Sequence, residues 1–208
     1  MIVFIPAHDA QTTDNLAVVS SILPENAVLL VAQQATRQQL LTHFESHNTL
    51  FAMSHGTSEA IWENDDTPAF NLSDITRFSD SKRVYVFACF TANELGEAFK
   101  NQGSVYWGYT GRVQSPNSEQ VKVHIFQRIF THILTYFPLC TTIESIKLSL
   151  VAIKNLCDRA DAELDEIDPT DLESRRAILD IWNRLRIKHF ELAESILHPE
   201  AQVGDLLF

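Results

Sequence analysis

The chain has 208 residues, a formal net charge of −11, 45% hydrophobic and 21% charged residues. That is enough for one sizeable domain, or a domain with a helical appendage, in an ordinary globular composition. The acidic balance argues against broad affinity for nucleic-acid phosphates or anionic lipid, and 6 Gly and 7 Pro are too few for a fibre or a disordered chain.

The first residues, Met1 to Asp9, lack a basic leader and meet Pro6 early, which predicts no signal peptide. Ile2–Ile5 reads as a short strand. Residues 13–22 show helical spacing of Leu16, Val19 and Ile22, with Thr12, Thr13 or Asp14 as the cap. Ala27–Ala32, A-V-L-L-V-A, is apolar on both faces, as an interior parallel strand would be. Residues 36–46 predict a surface helix with Leu40, Leu41 and Phe44 inward, and Thr49–Ser54 a third strand.

Glu59–Glu63 reads as a short strand or hairpin arm, N-D-D-T-P at 64–68 as a turn, and Leu72–Phe78 as a short helix capped by Asn71 or Ser73. Arg83–Phe87 is the fourth core strand, Asn93–Asn101 a helix ended by Gly103, and Val105–Tyr109 the fifth strand. Strand and helix in alternation predict right-handed crossovers and a mostly parallel sheet covered on both faces, a three-layer α/β sandwich. Beyond it, residues 118–137, 142–164 and 171–195 predict three helices, with an acidic turn at 165–171. The division is an α/β core over 1–138 and a C-terminal helical segment over 139–208, packed on the core or standing as a small appendage. No apolar run reaches the ~18–20 residues of a membrane helix. Three cysteines without a C-x-x-C pattern fit a reducing, cytoplasmic setting rather than a disulfide framework.

Two strand ends carry chemistry. L-F-A-M-S-H-G places His55 and Gly56 at the carboxyl end of the third strand, and V-Y-V-F-A-C places Cys89 at that end of the fourth. Ligands of parallel sheets bind at this edge. A thiol beside an imidazole is an activated nucleophile with its base. The N–H groups of Gly56 and Cys89 suit an oxyanion hole, and the helix after Cys89 offers its positive end to the thiol. Adjacent strand residues face opposite ways, so Ser54 is a poor nucleophile. A metal site built from His55, Cys89 and Asp9 lacks ligand spacing, and no cofactor is expected. His8, His43, His47, His124, His132, His189 and His198 read as surface or helix-packing residues, Cys140 and Cys157 as core.

The two motifs together resemble the caspase-like cysteine peptidases, a group that includes caspases, metacaspases, gingipains, separases and bacterial CHAT domains. F-A-C-F-T-A-N-E-L-G is most similar to the CHAT type, and the resemblance spans about residues 1–115. The caspase signature Q-A-C-[RQG]-G is absent, and the His–Cys gap is shorter than the ~50 residues of caspases. The resemblance implies a caspase-like sheet and a cysteine endopeptidase with a His55–Cys89 dyad. It implies a bacterial protein whose protein or peptide substrate is a dedicated partner, with oligomeric state open. It also implies a substrate pocket near Asp9, which favours Lys or Arg, walled by Trp107, Gly108 and Tyr109. A bland alternative for Asp9 is a loop or helix cap. Two rival functions stay open: a catalytically inactive member acting as an interaction or regulatory module, and, weaker, a nucleotide-binding regulator that lacks a phosphate-binding glycine loop.

Overall fold

The computed structural model describes residues 1–186 apart from 65, 66, 79, 80, 116–119, 141, 142 and 184. The five apolar runs form five parallel strands: β1 (Ile2–Ile5), β2 (Val28–Val31), β3 (Thr49–Met53), β6 (Arg83–Phe87) and β7 (Val105–Tyr109). Their order across the sheet is β2-β1-β3-β6-β7. β4 (Ala60–Asn64) and β5 (Thr67–Asn71) make a separate antiparallel hairpin between β3 and β6. The helices are α1 (Ala10–Val19), α2 (Arg37–Ser46), α3 (Glu94–Asn101), α4 (Gln120–Tyr136), α5 (Ile143–Ile167) and α6 (Leu172–Asn183).

Alternation along each strand divides the side chains between two apolar layers. Val3, Ile5, Phe51, Met53, Tyr85, Phe87, Trp107 and Tyr109 share one cluster with Val18 of α1 and Phe126, Ile129 and Phe130 of α4. Ile153, Cys157 and Leu164 of α5 and Ile178 of α6 join that same cluster. Ile2, Phe4, Leu50, Ala52, Val84, Val86, Ala88 and Tyr106 face the other way, against Leu40 and Phe44 of α2, Phe70 of β5 and Phe99 of α3. Helices thus cover both faces of the sheet, which is the three-layer arrangement.

Polar groups fix the helix ends. Asp9, rather than Thr12, Thr13 or Asp14, caps α1, which therefore starts earlier than the apolar spacing suggests. Thr36 caps α2 through the Gln39 N–H. The buried Lys82 closes the other end of α2: its ammonium donates to the Phe44 carbonyl at 2.9 Å and the His47 carbonyl at 3.1 Å. Those carbonyls have no partner within their own helix, so a buried cation finds its acceptors there.

Two other expectations differ from the structure. β2 is an edge strand, not an interior one; among the described residues it pairs with β1 alone, and Leu29 is 37% exposed. An apolar run records hydrophobicity, and that is the same for an edge strand with one face still covered. The third C-terminal helix spans Leu172–Asn183, and Leu185, expected inside it, is extended; the rest of the expected stretch, 187–195, lies outside the described residues. The chain then adds β8 (Leu185–Arg186) antiparallel to Gly108 and Tyr109. Phe190 and His198 lie outside the described residues. Among the described residues, no helix is long and apolar enough to cross a membrane.

Candidate active site

β3 and β6 are neighbours in register, with Thr49 opposite Arg83 and Met53 opposite Phe87. The Ser54 N–H carries the ladder one bond further, to the Phe87 carbonyl at 3.2 Å. His55 and Cys89 therefore leave equivalent rungs, each two residues past the last pair. They line one recess together with Thr12 and Asn15 of α1 and with Val113 and Ser115 from the segment after β7.

Gly56 is fitted against the backbone of Cys89. A Cβ there would lie 2.8 Å from the Cys89 carbonyl oxygen, 2.9 Å from the Ala88 Cβ and 2.6 Å from the Thr91 methyl. Such approaches leave room for hydrogen only. The turn is held from its other side by the hairpin: Trp62 N–H donates to the His55 carbonyl at 3.1 Å and Thr57 N–H to the Ala60 carbonyl at 2.9 Å. In this pairing of Gly56 with Ile61 the bonds run through the flanking residues, which directs the Gly56 N–H away from the hairpin. Among the described residues, neither the Gly56 N–H nor the Cys89 N–H meets an acceptor. Ser54 is occupied, its hydroxyl donating to the Trp62 carbonyl.

Asp9 joins the site from the far side of His55. Its Oδ1 accepts from the Thr12 N–H at 2.8 Å and from the Thr12 hydroxyl at 2.6 Å, closing a capping box. Its Oδ2 lies 2.6 Å from His55 Nε2. Burial by itself would raise the Asp9 pKa, but the Thr12 and His55 bonds and the His55 charge outweigh it and hold the group at about 2. A carboxylate on Nε2 fixes the imidazole tautomer with the proton on Nε2 and leaves Nδ1 as the basic nitrogen. Capping is thus what Asp9 does, and both its oxygens are engaged. The carboxylate is directed at the imidazole, not presented as a free anion to a substrate cation.

The remaining pocket residues fall elsewhere. Trp107 and Tyr109 are 0% exposed in the layer under α4, where Trp107 packs on Phe137 and the Tyr109 hydroxyl meets that of Tyr85 at 3.0 Å. Gly108 faces the opposite layer, with Tyr106 2.5 Å from where its Cβ would be. An inner strand flanked by helices on both faces presents no side chain to a substrate, which corrects the expectation that these three wall a pocket. Two of the first-turn N–H groups of α3 are spent elsewhere than on the thiol, Leu95 on the Ser58 carbonyl at 2.7 Å and Gly96 on the Thr91 carbonyl at 3.0 Å.

Four residues of the site carry no motif and escape sequence reasoning. Val113 N–H approaches the Cys89 sulfur at 3.4 Å, and the thiol faces the Val113 carbonyl at 3.7 Å. The Ser115 hydroxyl ties this strap to the Gln11 carbonyl of α1 at 3.0 Å. Asn15 is buried, and its Oδ1 has no hydrogen-bond partner among the described residues. His8, expected as a surface or helix-packing residue, sets its ring edge-on to His55 with centroids 5.6 Å apart. A further feature follows the thiol: Phe90 has φ +62, a conformation costing a bulky residue about 1–3 kcal/mol, held by its N–H on the Gly111 carbonyl at 2.9 Å. Cys140 and Cys157 are buried, and burial pushes both thiols up.

Comparisons with protein-family models, with curated proteins and with solved structures each find no match to this chain.

Proposed function

We propose that the chain is a cysteine endopeptidase of the caspase-like type, acting through Cys89 and His55. The observation that carries this reading is the matched exit of the two residues from neighbouring parallel strands into one recess, with Asp9 bonded to the far nitrogen of the imidazole. His55 Nδ1 takes the thiol proton as the sulfur attacks the peptide carbonyl carbon, forming a C–S bond and a tetrahedral oxyanion. The N–H groups of Gly56 and Cys89 hold that oxygen. The C–N bond then breaks as the imidazolium returns the proton to the leaving amine. Water, deprotonated by His55, attacks the thioester, breaks the C–S bond and frees the acid, and the sulfur regains its proton. Asp9 is a positioning residue throughout: it orients the ring and stabilises the imidazolium. The substrate on this reading is a protein or peptide, and the chemistry needs no cofactor.

One observation favours a second reading, a non-catalytic interaction module on the same scaffold. The recess holds about 10 Å³ for a water-sized occupant, roughly one molecule, and Val113 covers the sulfur. A peptide reaches Cys89 only after the strap lifts. Two measurements separate the readings: cleavage of a peptide library by the wild type and by Cys89→Ala, and the rate of iodoacetamide alkylation of Cys89. The peptidase reading expects turnover that vanishes in the variant and a thiol faster than a free cysteine. Equal cleavage by both proteins, or a Cys89 that never outpaces a free thiol even in the presence of cleaved peptide, refutes it.

A further inference from the structure

His8, Asp9 and His55 make up a cluster that the peptidase chemistry only partly uses. One ligand-type atom from each lies within 4.8 Å of the others, and the three residues are half-buried. The His8 ring nitrogens are shielded from solvent, while Asp9 and His55 keep 35% and 34% of their side chains exposed, which leaves a way in. Two imidazoles and a carboxylate are a donor set of the zinc type, with bonds of about 2.0–2.1 Å and hence about 3.3 Å between ligand atoms. The Asp9–His55 separation of 2.6 Å has to open by about 0.7 Å, and no separation in the cluster has to close by more than about 1.5 Å. Both lie within side-chain rotation. With both imidazoles in the neutral form that metal binding requires, the cluster carries one negative charge toward a dication, and three protein ligands leave a fourth position open.

We infer that His8, Asp9 and His55 bind a zinc-type divalent ion, and that its binding switches off the Cys89–His55 pair. The first half stands on the cluster alone; the second rests on the peptidase reading. The chemistry of the switch is a tautomer change. Without metal, Nε2 carries the proton shared with Asp9, and Nδ1 offers its lone pair to the thiol. A metal bound through Nε2 needs that lone pair, so the ring proton moves to Nδ1. No bond other than N–H is broken and no proton is lost overall. The imidazole then has no free lone pair with which to take the Cys89 proton, and Asp9 is held by the ion instead of by the ring. The sulfur itself is not a ligand: the cluster is made by His8, Asp9 and His55, and the thiol meets the Val113 backbone instead.

The test uses the full-length protein and Co²⁺ or Zn²⁺ as the probe. Cobalt absorption titrations are run on the wild type, Cys89→Ala, Asp9→Asn, His8→Ala and the more conservative His8→Gln, each checked for folding by circular dichroism. The expected result is one equivalent bound by the wild type and by Cys89→Ala, without a sulfur-to-cobalt charge-transfer band. Binding is expected to be at least about tenfold weaker in Asp9→Asn and in either folded His8 variant. No saturable binding by the wild type, a sulfur band, loss of binding in Cys89→Ala, or full affinity in folded Asp9→Asn and His8→Gln overturns the site. In parallel, one equivalent of Zn²⁺ is expected to slow wild-type Cys89 alkylation at least about tenfold, reversed by chelator. Tight binding with unchanged alkylation overturns the switch. Tight binding to a protein whose metal-free Cys89 is no faster than a free thiol supports the site and overturns the peptidase reading instead.

Discussion

Gly56→Ala tests the geometry on which the site depends, because it asks whether the turn after β3 truly lies against Cys89. The added methyl would sit 2.6, 2.8 and 2.9 Å from Thr91 Cγ2, the Cys89 carbonyl oxygen and Ala88 Cβ, where ordinary contacts begin at about 3.5 Å. None of the three yields easily. Thr91 is buried and its hydroxyl donates to the Ala88 carbonyl at 3.3 Å, and the other two follow directly on β6, with Ala88 fully buried. Gly56 does not occupy the left-handed region, so the loss is steric and not a loss of backbone freedom. The two strand ends must part by about 1 Å. Overpacking of this kind costs about 1–3 kcal/mol, a fall in Tm of about 2–12 °C for a chain of this size. A misplacement of about 1 Å between reacting groups costs about 100-fold in rate. Thermal melts by circular dichroism and mass-spectrometric alkylation of Cys89 read the two effects. A variant that melts within about 1 °C of wild type and alkylates at the wild-type rate refutes the placement of Gly56 against the Cys89 backbone.

Other changes have defined outcomes. Trp107→Ala empties a fully buried site between β7 and Phe137 and should cost about 3–5 kcal/mol in urea unfolding; a cost under about 1 kcal/mol would mean that Trp107 is not in the core. Ser115→Ala removes the bond to Gln11 that pins the strap, worth about 0.5–1.5 kcal/mol, so Cys89 alkylation should rise about two- to tenfold; a slower reaction would rule out the strap as a cover. Asp9→Asn should lower kcat for cleavage and shift the acid limb of its pH profile while leaving KM nearly unchanged, whereas a purely structural role would leave the pH profile in place. Asp171 supplies the stability test against pH. Burial would raise its pKa, but bonds from the buried Lys122 and from Ser174 lower it below the usual 3.8, with Asp168 also 3.9 Å from the ammonium. Its contribution to stability is therefore complete above the unfolded-state value and lost as pH falls through the lowered folded value. Urea unfolding at pH 6 and pH 3 should show a smaller acid loss for Asp171→Asn than for wild type, and equal losses would refute the pairing.

The reach of sequence reasoning follows the range of the interactions involved. The five parallel strands were legible because each is a continuous apolar run, and a strand covered on both faces has nothing else to show. The runs that end in Ser-His-Gly and Ala-Cys put His55 and Cys89 at one sheet edge by the same logic, since parallel strands share an exit. What escaped was set by geometry that no run records. Whether a strand is central or at the edge depends on what pairs with it, so Val28–Val31 looked like β3. Y-W-G-Y read as pocket lining because aromatics line pockets and cores alike; only the helices on both sides of β7 decide for core.

Asp9 shows where the argument must become three-dimensional. It stands 46 positions before His55, in the loop that turns β1 into α1, and the two meet only because β1 and β3 are adjacent and parallel. Thr12 takes one oxygen of Asp9 as a helix cap, and that cap orients the other oxygen toward the imidazole. A local rule of helix termination thus sets the tautomer of a residue on another strand. His8, its chain neighbour, comes to the same place by the same turn. The sheet edge brings out Cys89 and His55, and the first helix cap decides which nitrogen of the imidazole is available and what else can compete for it. Activity and its proposed control by metal would then share one hydrogen bond, so a substitution that perturbs only the Asp9–Thr12 cap, Thr12→Val for example, should disturb both.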